Sequence, residues 1–255
     1  MIQAIKSFLA EPATRGLAID DPATTTIRRT IVREKKFLRN IYDEWYAKVT
    51  AALPTVKGQV LELGSGAGFL DKYIPGLITS EVFICPDIQV VLDARRIPLP
   101  SGSLRAIVMT DVLHHIPCTP DFFAEADRCL APGGAIIMVE PWVSAWSRFV
   151  YQNLHHEPFV PLAKDWTFPE SGPLSGANGA LPWIIFERDR SEFHRRFPNL
   201  KVAQIEPMMP FCYLVSGGVS LRCLVPAASF GIWRACERTL GSKLAMFALV
   251  VVRKG

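Results

Sequence analysis

Residues 60–70 read Val-Leu-Glu-Leu-Gly-Ser-Gly-Ala-Gly-Phe-Leu. This is a short apolar strand that enters a glycine-rich turn and leaves into what patterning predicts as a helix. Glycine carries no Cβ, so such a backbone turns sharply and lets a ligand approach the main chain. A helix starting there offers unpaired N–H groups to a carboxylate or phosphate. In an open α/β sheet, the turn at the carboxyl end of the first strand is where a nucleotide-like ligand sits. The spacing narrows the choice. Gly64, Gly66 and Gly68 form G-x-G-x-G with Glu62 two positions ahead of the first glycine, not the G-x-G-x-x-G of dinucleotide sites.

The rest of the chain is consistent with one large domain or a domain with a substantial cap, since it has 255 residues. A hydrophobic share of 49% and a mean hydropathy of +0.21 set it far from disorder. No apolar run reaches the roughly 18–20 residues of a membrane span, and residues 1–9 lack the pattern of a secretory leader. Six cysteines, at 85, 118, 129, 212, 223 and 236, form no C-x-x-C. That scatter predicts reduced, mostly buried thiols and a cytoplasmic protein. The net charge of +4 is modest, with one dense basic run from Arg28-Arg29 through Arg33, Lys35-Lys36 and Arg39. Ile27, Ile31, Leu38, Ile41, Tyr42, Trp45 and Val49 recur near helical spacing around it, so the run reads first as a solvated helix face, and second as a contact for an anionic surface.

Along the chain, Thr24 to Thr26 are expected to cap a helix reaching about Leu53, and Pro54 and Gly58 punctuate the entry to a first strand at 59–63. Strand and helix patterns then alternate. Strands are expected at 77–81, 90–92, 104–110 and 135–140, with helices at 67–73 and 121–130 and a Pro132-Gly133-Gly134 turn. Such alternation predicts a mostly parallel sheet covered on both faces. Residues 142–186 read as a helix followed by a lid over the active-site mouth, and 189–197 return to helical spacing. Closing strands are expected at 200–206 and 244–253, and the apolar segment 207–241 as helices or a hairpin. The division that follows is a helical cap at 1–56 and a Rossmann-like, seven-stranded domain at 57–255 carrying both insertions.

The glycine turn resembles motif I of the class I S-adenosylmethionine-dependent methyltransferases of the methyltransferase type 11 kind, and the resemblance extends over residues 57–141. It implies that S-adenosyl-L-methionine is the cofactor, held by Glu62, Gly64, Ser65, Gly66 and Gly68. It further implies an acid ending strand two that binds the ribose hydroxyls by charge-assisted hydrogen bonds. Glu81 fits, with Asp87 as the competitor. Asp93-Ala94 match the adenine position, and Asp111 with His114 occupies the turn after strand four beside the methionine portion. Leu130-Ala131-Pro132-Gly133-Gly134 is similar to the family's L-x-P-G-G turn. Any one such carboxylate is ordinary as a helix cap; the ordered set along one sheet edge carries the weight. An NAD-dependent enzyme is disfavoured by the glycine spacing and by the lack of a second mononucleotide-binding half.

Methyl transfer from a sulfonium needs alignment and exclusion of water more than side-chain chemistry. A hydroxyl acceptor also benefits from a base. His155 and His156, in the expected lid, and Glu140, ending strand five, are the catalytic candidates, with packing or capping as the plainer role for each. His114 and His115 follow. No ligand cluster in the sequence demands a metal. Nucleic acid is disfavoured as acceptor, because Thr110-Asp111-Val112-Leu113 stands where base-methylating enzymes carry an Asn/Asp-Pro-Pro-aromatic motif. The expected acceptor is a small, partly apolar molecule taking methyl on oxygen or nitrogen, with carbon as a further option, and with a peripheral membrane contact through the basic helix. The competing reading is a catalytically silent, cofactor-binding regulator or partner protein.

Overall fold

A computed structural model describes residues 10–14, 20–155, 157–172, 175–240 and 242–255. Residues 1–9, Gly16 and His156 therefore lie outside the described residues. The sheet has seven strands: β1 (Gln59–Leu63), β2 (Ile78–Glu81), β3 (Val90–Val91), β4 (Leu104–Thr110), β5 (Leu130–Pro141), β6 (Leu200–Met208) and β7 (Phe247–Lys254). Their order is β3-β2-β1-β4-β5-β7-β6. All pairs are parallel except β7, which runs antiparallel to both β5 and β6. In β4 only Arg105 and Thr110 are not buried, the near-continuous apolar run that a strand covered on both faces requires. Strand order reverses between β1 and β4, which opens a crevice at their carboxyl ends.

The predicted N-terminal helix is two helices, α1 (Pro22–Glu34) and α2 (Lys36–Ala51). The cap is Asp21, whose carboxylate accepts the Ala23 N–H, and not the Thr24–Thr26 run. Lys35 breaks the helix at ψ 88°. There its ammonium reaches Glu11 at 2.7 Å and the Gly218 carbonyl at 3.2 Å. Arg29 is buried at 8% exposure. The basic run is thus not one solvated face, because tertiary partners take Arg29 and Lys35.

Two further expectations are corrected. No regular helix follows the glycine turn; only a 3-10 turn at Leu70–Lys72 forms. The Phe69 backbone stands at φ −150° and its ring is buried edge-on to Tyr46, which ends the helical path before it starts. Pro132-Gly133-Gly134 is not a turn before β5 but a bulge within it, where pairing with β4 jumps from Leu104↔Leu130 to Ala106↔Ala135. Of the two readings of 207–241, the helical one holds among the described residues: after α3 (Thr119–Cys129), α4 (Ala145–Leu154) and α5 (Arg190–Arg196) come α6 (Cys212–Ser216) and α7 (Phe230–Leu240).

The N-terminal segment and the 207–241 segment share the core of the sheet. Trp45 of α2 is 1% exposed, stacks on Tyr213 of α6 and packs against Phe247 of β7. Glu44 and Glu237 grip Arg234 from opposite sides, and Glu237 also accepts the Phe211 and Cys212 N–H groups. That buried carboxylate ties α7, α6 and α2 together over the crevice. The Trp45 indole N–H is buried and has no hydrogen-bond partner among the described residues. Urea unfolding should therefore show Trp45→Ala losing about 3–5 kcal/mol. Trp45→Phe should lose far less, because it also removes an unsatisfied donor.

Candidate active site

The glycine turn is shaped by what presses on it. Gly64 adopts φ +66°, and a Cβ there would stand 2.4 Å from Val112 Cγ2. At Gly66 a Cβ would meet Glu81 Oε1 at 2.5 Å and Thr25 Cγ2 at 2.7 Å. The Gly66 peptide is held at both ends: its N–H donates to Glu81 Oε1 at 2.9 Å and its carbonyl accepts Arg29 Nε at 2.8 Å. Arg29 also donates to Asp87 at 2.8 Å. A branched residue at 66 would thus first displace Glu81 and α1, rather than only fill ligand space.

One cavity of about 1170 Å³ opens at the carboxyl ends of β1, β2 and β4. Gly64, Gly66, Glu81, Asp93, Ala94 and Asp111 line one half of it. Glu81 ends β2 there, and its carboxyl is raised by burial against the opposing Val82 and Gly66 N–H bonds. The competitor Asp87 is turned away, with its side chain 80% exposed on Arg29. Asp93 is gripped by the Arg95 guanidinium at 2.7–3.0 Å, which holds its carboxyl below the usual range. Arg95 reaches on to Glu170.

Glu62, Ser65 and Gly68 do not line the cavity; they build its wall. Ser65 donates its N–H to the Ser80 carbonyl and accepts the Ser80 N–H, which sets β1 against β2. Gly68 gives room to the Tyr46 hydroxyl. Glu62 is 4% exposed, and burial pushes its carboxyl from 4.5 to about 7.

Beyond β4 the chain makes a second tight turn. Asp111 sits at φ 63°, a conformation aspartate tolerates better than most residues. Its accessible side opens into the cavity while the walls desolvate it, so burial raises its carboxyl to about 7 against the pull of His114. The Val112 and Leu113 N–H groups donate to Glu140 Oε1 at 2.8 and 2.7 Å, and Glu140 Oε2 meets His114 Nδ1 at 2.7 Å. Glu140 is fully buried and does not line the cavity. His114 is buried as well. Burial disfavours its charge, yet Glu140 and Glu157 outweigh that and hold its pKa well above the usual value. His115 Nδ1 faces the Gly176 carbonyl at 3.0 Å, and burial beside His114 lowers its pKa to about 4.

His155, His115 and Glu157 face the other half of the cavity with Tyr42, Tyr151, Leu154, Tyr213 and Leu224. His155 Nδ1 accepts the Glu157 N–H at 3.3 Å. Thr25, Arg28, Arg29 and Tyr42 escaped prediction as site residues. Their sequence signals were the Thr24–Thr26 cap, the basic run and the apolar stripe, and nothing local says that α1 folds back over the glycine turn.

Residues 61–138 match the family model described as a methyltransferase domain. No curated protein matches the chain. Among solved structures it is similar to geranyl diphosphate C-methyltransferase from Streptomyces coelicolor A3(2), at 12% identity and TM-score 0.54 over 99% of this chain and 98% of that one. It is also similar to the methyltransferase in complex with the Haloferax volcanii Trm112 methyltransferase activator, at 13%, 0.51, 93% and 97%. A S-adenosylmethionine-dependent methyltransferase from Thermotoga maritima matches at 14%, 0.50, 90% and 99%. Identities this low speak for the fold. With the glycine turn and the strand order in place around it, residues 61–138 form a methyltransferase domain of the S-adenosylmethionine-dependent kind. S-adenosylmethionine is its cofactor.

Two outcomes test this geometry. Gly64→Ala should unfold at markedly lower temperature than wild type, and Val112→Ala should restore only part of the loss, since the positive φ remains. Glu62 binds its proton more tightly folded than unfolded, so its contribution is complete below about pH 4.5 and lost as pH rises through 7. Melting temperature followed across that window should fall in the wild type and fall less steeply in Glu62→Gln, where the raised carboxyls of Asp111 and Glu81 remain.

Proposed function

We propose that this methyltransferase acts on a bulky, partly apolar small molecule, delivering methyl to oxygen or nitrogen, with carbon as the further option. One observation carries the reading: the cofactor half and a half walled by Tyr151, Leu154, Tyr213, Leu214, Val219 and Leu224 are a single cavity. The glycine cradle fits the cofactor, because the space a Cβ would take at Gly64 is already filled by Val112 and the main chain faces the opening. The cofactor supplies a methyl group already activated on sulfur.

The chain's own residues then position and exclude. Glu81 is assigned to the ribose hydroxyls, and Asp93 with Ala94 to the adenine edge. Gly64, Gly66 and Asp111 are assigned to the methionine portion. Ser65, Gly68, Glu62 and His114 support from behind. Glu140 positions the 112–114 turn without touching substrate. His155, whose Nδ1 accepts the Glu157 amide, is assigned to the acceptor side as a catalytic candidate. The described residues before 57 serve as a cap on the cofactor half, since Thr25 and Arg28 reach the cavity.

An amphiphilic acceptor met at a cytoplasmic membrane surface fits the rim. Leu154 and Leu224 line the cavity and are 51% and 60% exposed. No helix among the described residues is long and apolar enough to cross a membrane, so the contact proposed is peripheral. Nucleic acid is not the acceptor in this reading.

Turnover to S-adenosylhomocysteine across a panel of hydroxylated and amino amphiphiles tests the activity; a panel without turnover, in protein that binds the product, would favour the silent-binder reading. Calorimetry should show S-adenosylhomocysteine binding, weakened in Glu81→Ala by about 1.5–3 kcal/mol, the range for hydrogen bonds to a charged group. Unchanged affinity would remove the ribose assignment. Co-sedimentation should favour anionic over neutral vesicles, and equal pelleting would count against the membrane contact.

A further inference from the structure

We propose that His114, His115 and Glu157 form a binding site for one divalent transition-metal ion, of the zinc or ferrous class, where the two halves of the cavity meet. One ring nitrogen of each histidine and a Glu157 carboxylate oxygen lie within 4.8 Å of one another. His114 Nε2 is 3.5 Å from one carboxylate oxygen of Glu157, and His115 Nε2 is 3.9 Å from the other. Metal bonds of about 2.0–2.2 Å set ligand atoms roughly 3–3.5 Å apart. The cluster is therefore slightly open, and a small rotation of Glu157, on the irregular segment after α4, closes it.

The surroundings of both imidazoles match those of metal ligands. His114 Nδ1 is held by the buried Glu140 carboxylate at 2.7 Å and His115 Nδ1 by the Gly176 carbonyl at 3.0 Å. Ligating histidines are fixed in this way, by a carboxylate or carbonyl on the second ring nitrogen. Both Nε2 atoms are left to point at Glu157. His114 Nε2 is buried and has no hydrogen-bond partner among the described residues, a condition that native interiors rarely leave unanswered. Glu140 is itself occupied by the Val112 and Leu113 N–H groups, so it stays a support and does not become a ligand.

The donor set decides the class of ion. Two imidazoles and one carboxylate suit zinc, iron, cobalt or nickel, whereas magnesium and calcium take oxygen ligands. The same carboxylates, with Asp111 4.0 Å from His114 Nε2, make a negative pocket that holds either a proton or a metal cation at that nitrogen. The proton-only alternative is an imidazolium clamped between Glu140 and Glu157. Because His115 and Glu157 line the cavity and His114 does not, an ion here would have its remaining positions turned toward the acceptor half, open to an oxygen donor. That acceptor role rests on the methyl-transfer reading; the ion site itself does not.

Chelator-stripped protein would be titrated with cobalt(II), followed by visible absorption, and with zinc by calorimetry, with magnesium as the comparison. Expected are one equivalent bound and cobalt bands that vanish in His115→Ala and Glu157→Gln, with affinity ten- to a hundredfold weaker in Glu140→Gln. Circular dichroism on each variant separates loss of a ligand from loss of the fold, and Glu157→Gln, at the cavity surface, is the decisive one. Failure of the wild type to bind stoichiometrically, equal affinity in folded Glu157→Gln, or binding of magnesium alone would each overturn the site and leave the imidazolium clamp. S-adenosylhomocysteine is titrated into the same preparations. Product binding without metal binding sinks only the ion site, and metal binding without product binding sinks only the methyl-transfer reading.

Discussion

The Gly66 peptide is the joint on which the site depends. Its N–H is held by Glu81 and its carbonyl by Arg29, so the end of β2 and the middle of α1 close on the turn after β1 from two sides. Bonds of this kind, with a charged partner and little competing water, are among the stronger ones a protein makes. They also carry geometry outward. Arg29 continues to the Pro86 carbonyl and to Asp87, which fixes the loop between β2 and β3. By seating α1, it places Thr25 and Arg28 at the cavity. The glycines permit the turn; Glu81 and Arg29 select one conformation of it.

A second carboxylate does the same for the turn after β4. Glu140 collects two amides and one imidazole, so a fully buried charge spends its hydrogen-bonding capacity on holding Asp111 to His114 in place. Burying a carboxylate without partners would be very costly, and three donors offset that cost. The result is a rigid wall carrying several ionisable groups. Burial, with His114 beside it, lowers His115; against burial, Glu140 and Glu157 raise His114 and the imidazoles lower Glu157. Divergent pairs of this kind gather at functional sites.

The cover of the cavity comes from parts of the chain far apart in sequence. The stack of Trp45, Tyr213 and Phe247 joins α2, α6 and β7, and the Glu44–Arg234–Glu237 set fastens α7 beside it. The half of the cavity walled by Tyr151, Leu154 and Tyr213 is therefore built on the same core as the sheet. Its apolar walls follow from that origin, because α4 and α6 each give one face to the core and the neighbouring face to the cavity.

Local pattern was enough to read the sheet and the residues that line one half of the cavity. Strand β4 lies where its apolar run predicted, and Gly64, Gly66, Glu81, Asp93 and Asp111 fall after successive strands because a parallel α/β chain returns to the same sheet edge each time. Local pattern could not see three things. Phe69 is drawn under Tyr46 and stops the helix that the glycine turn should have opened. Arg29, read as a solvated charge, is buried because its partners are the Gly66 carbonyl and Asp87, 37 and 58 residues further on. His114, His115 and Glu157 share no spacing that signals a cluster, since more than forty residues of helix, strand and helix separate the histidines from the glutamate. Periodicity and turn chemistry report on neighbours along the chain; only tertiary packing decides which distant charges meet, and with them what surrounds the methyl acceptor.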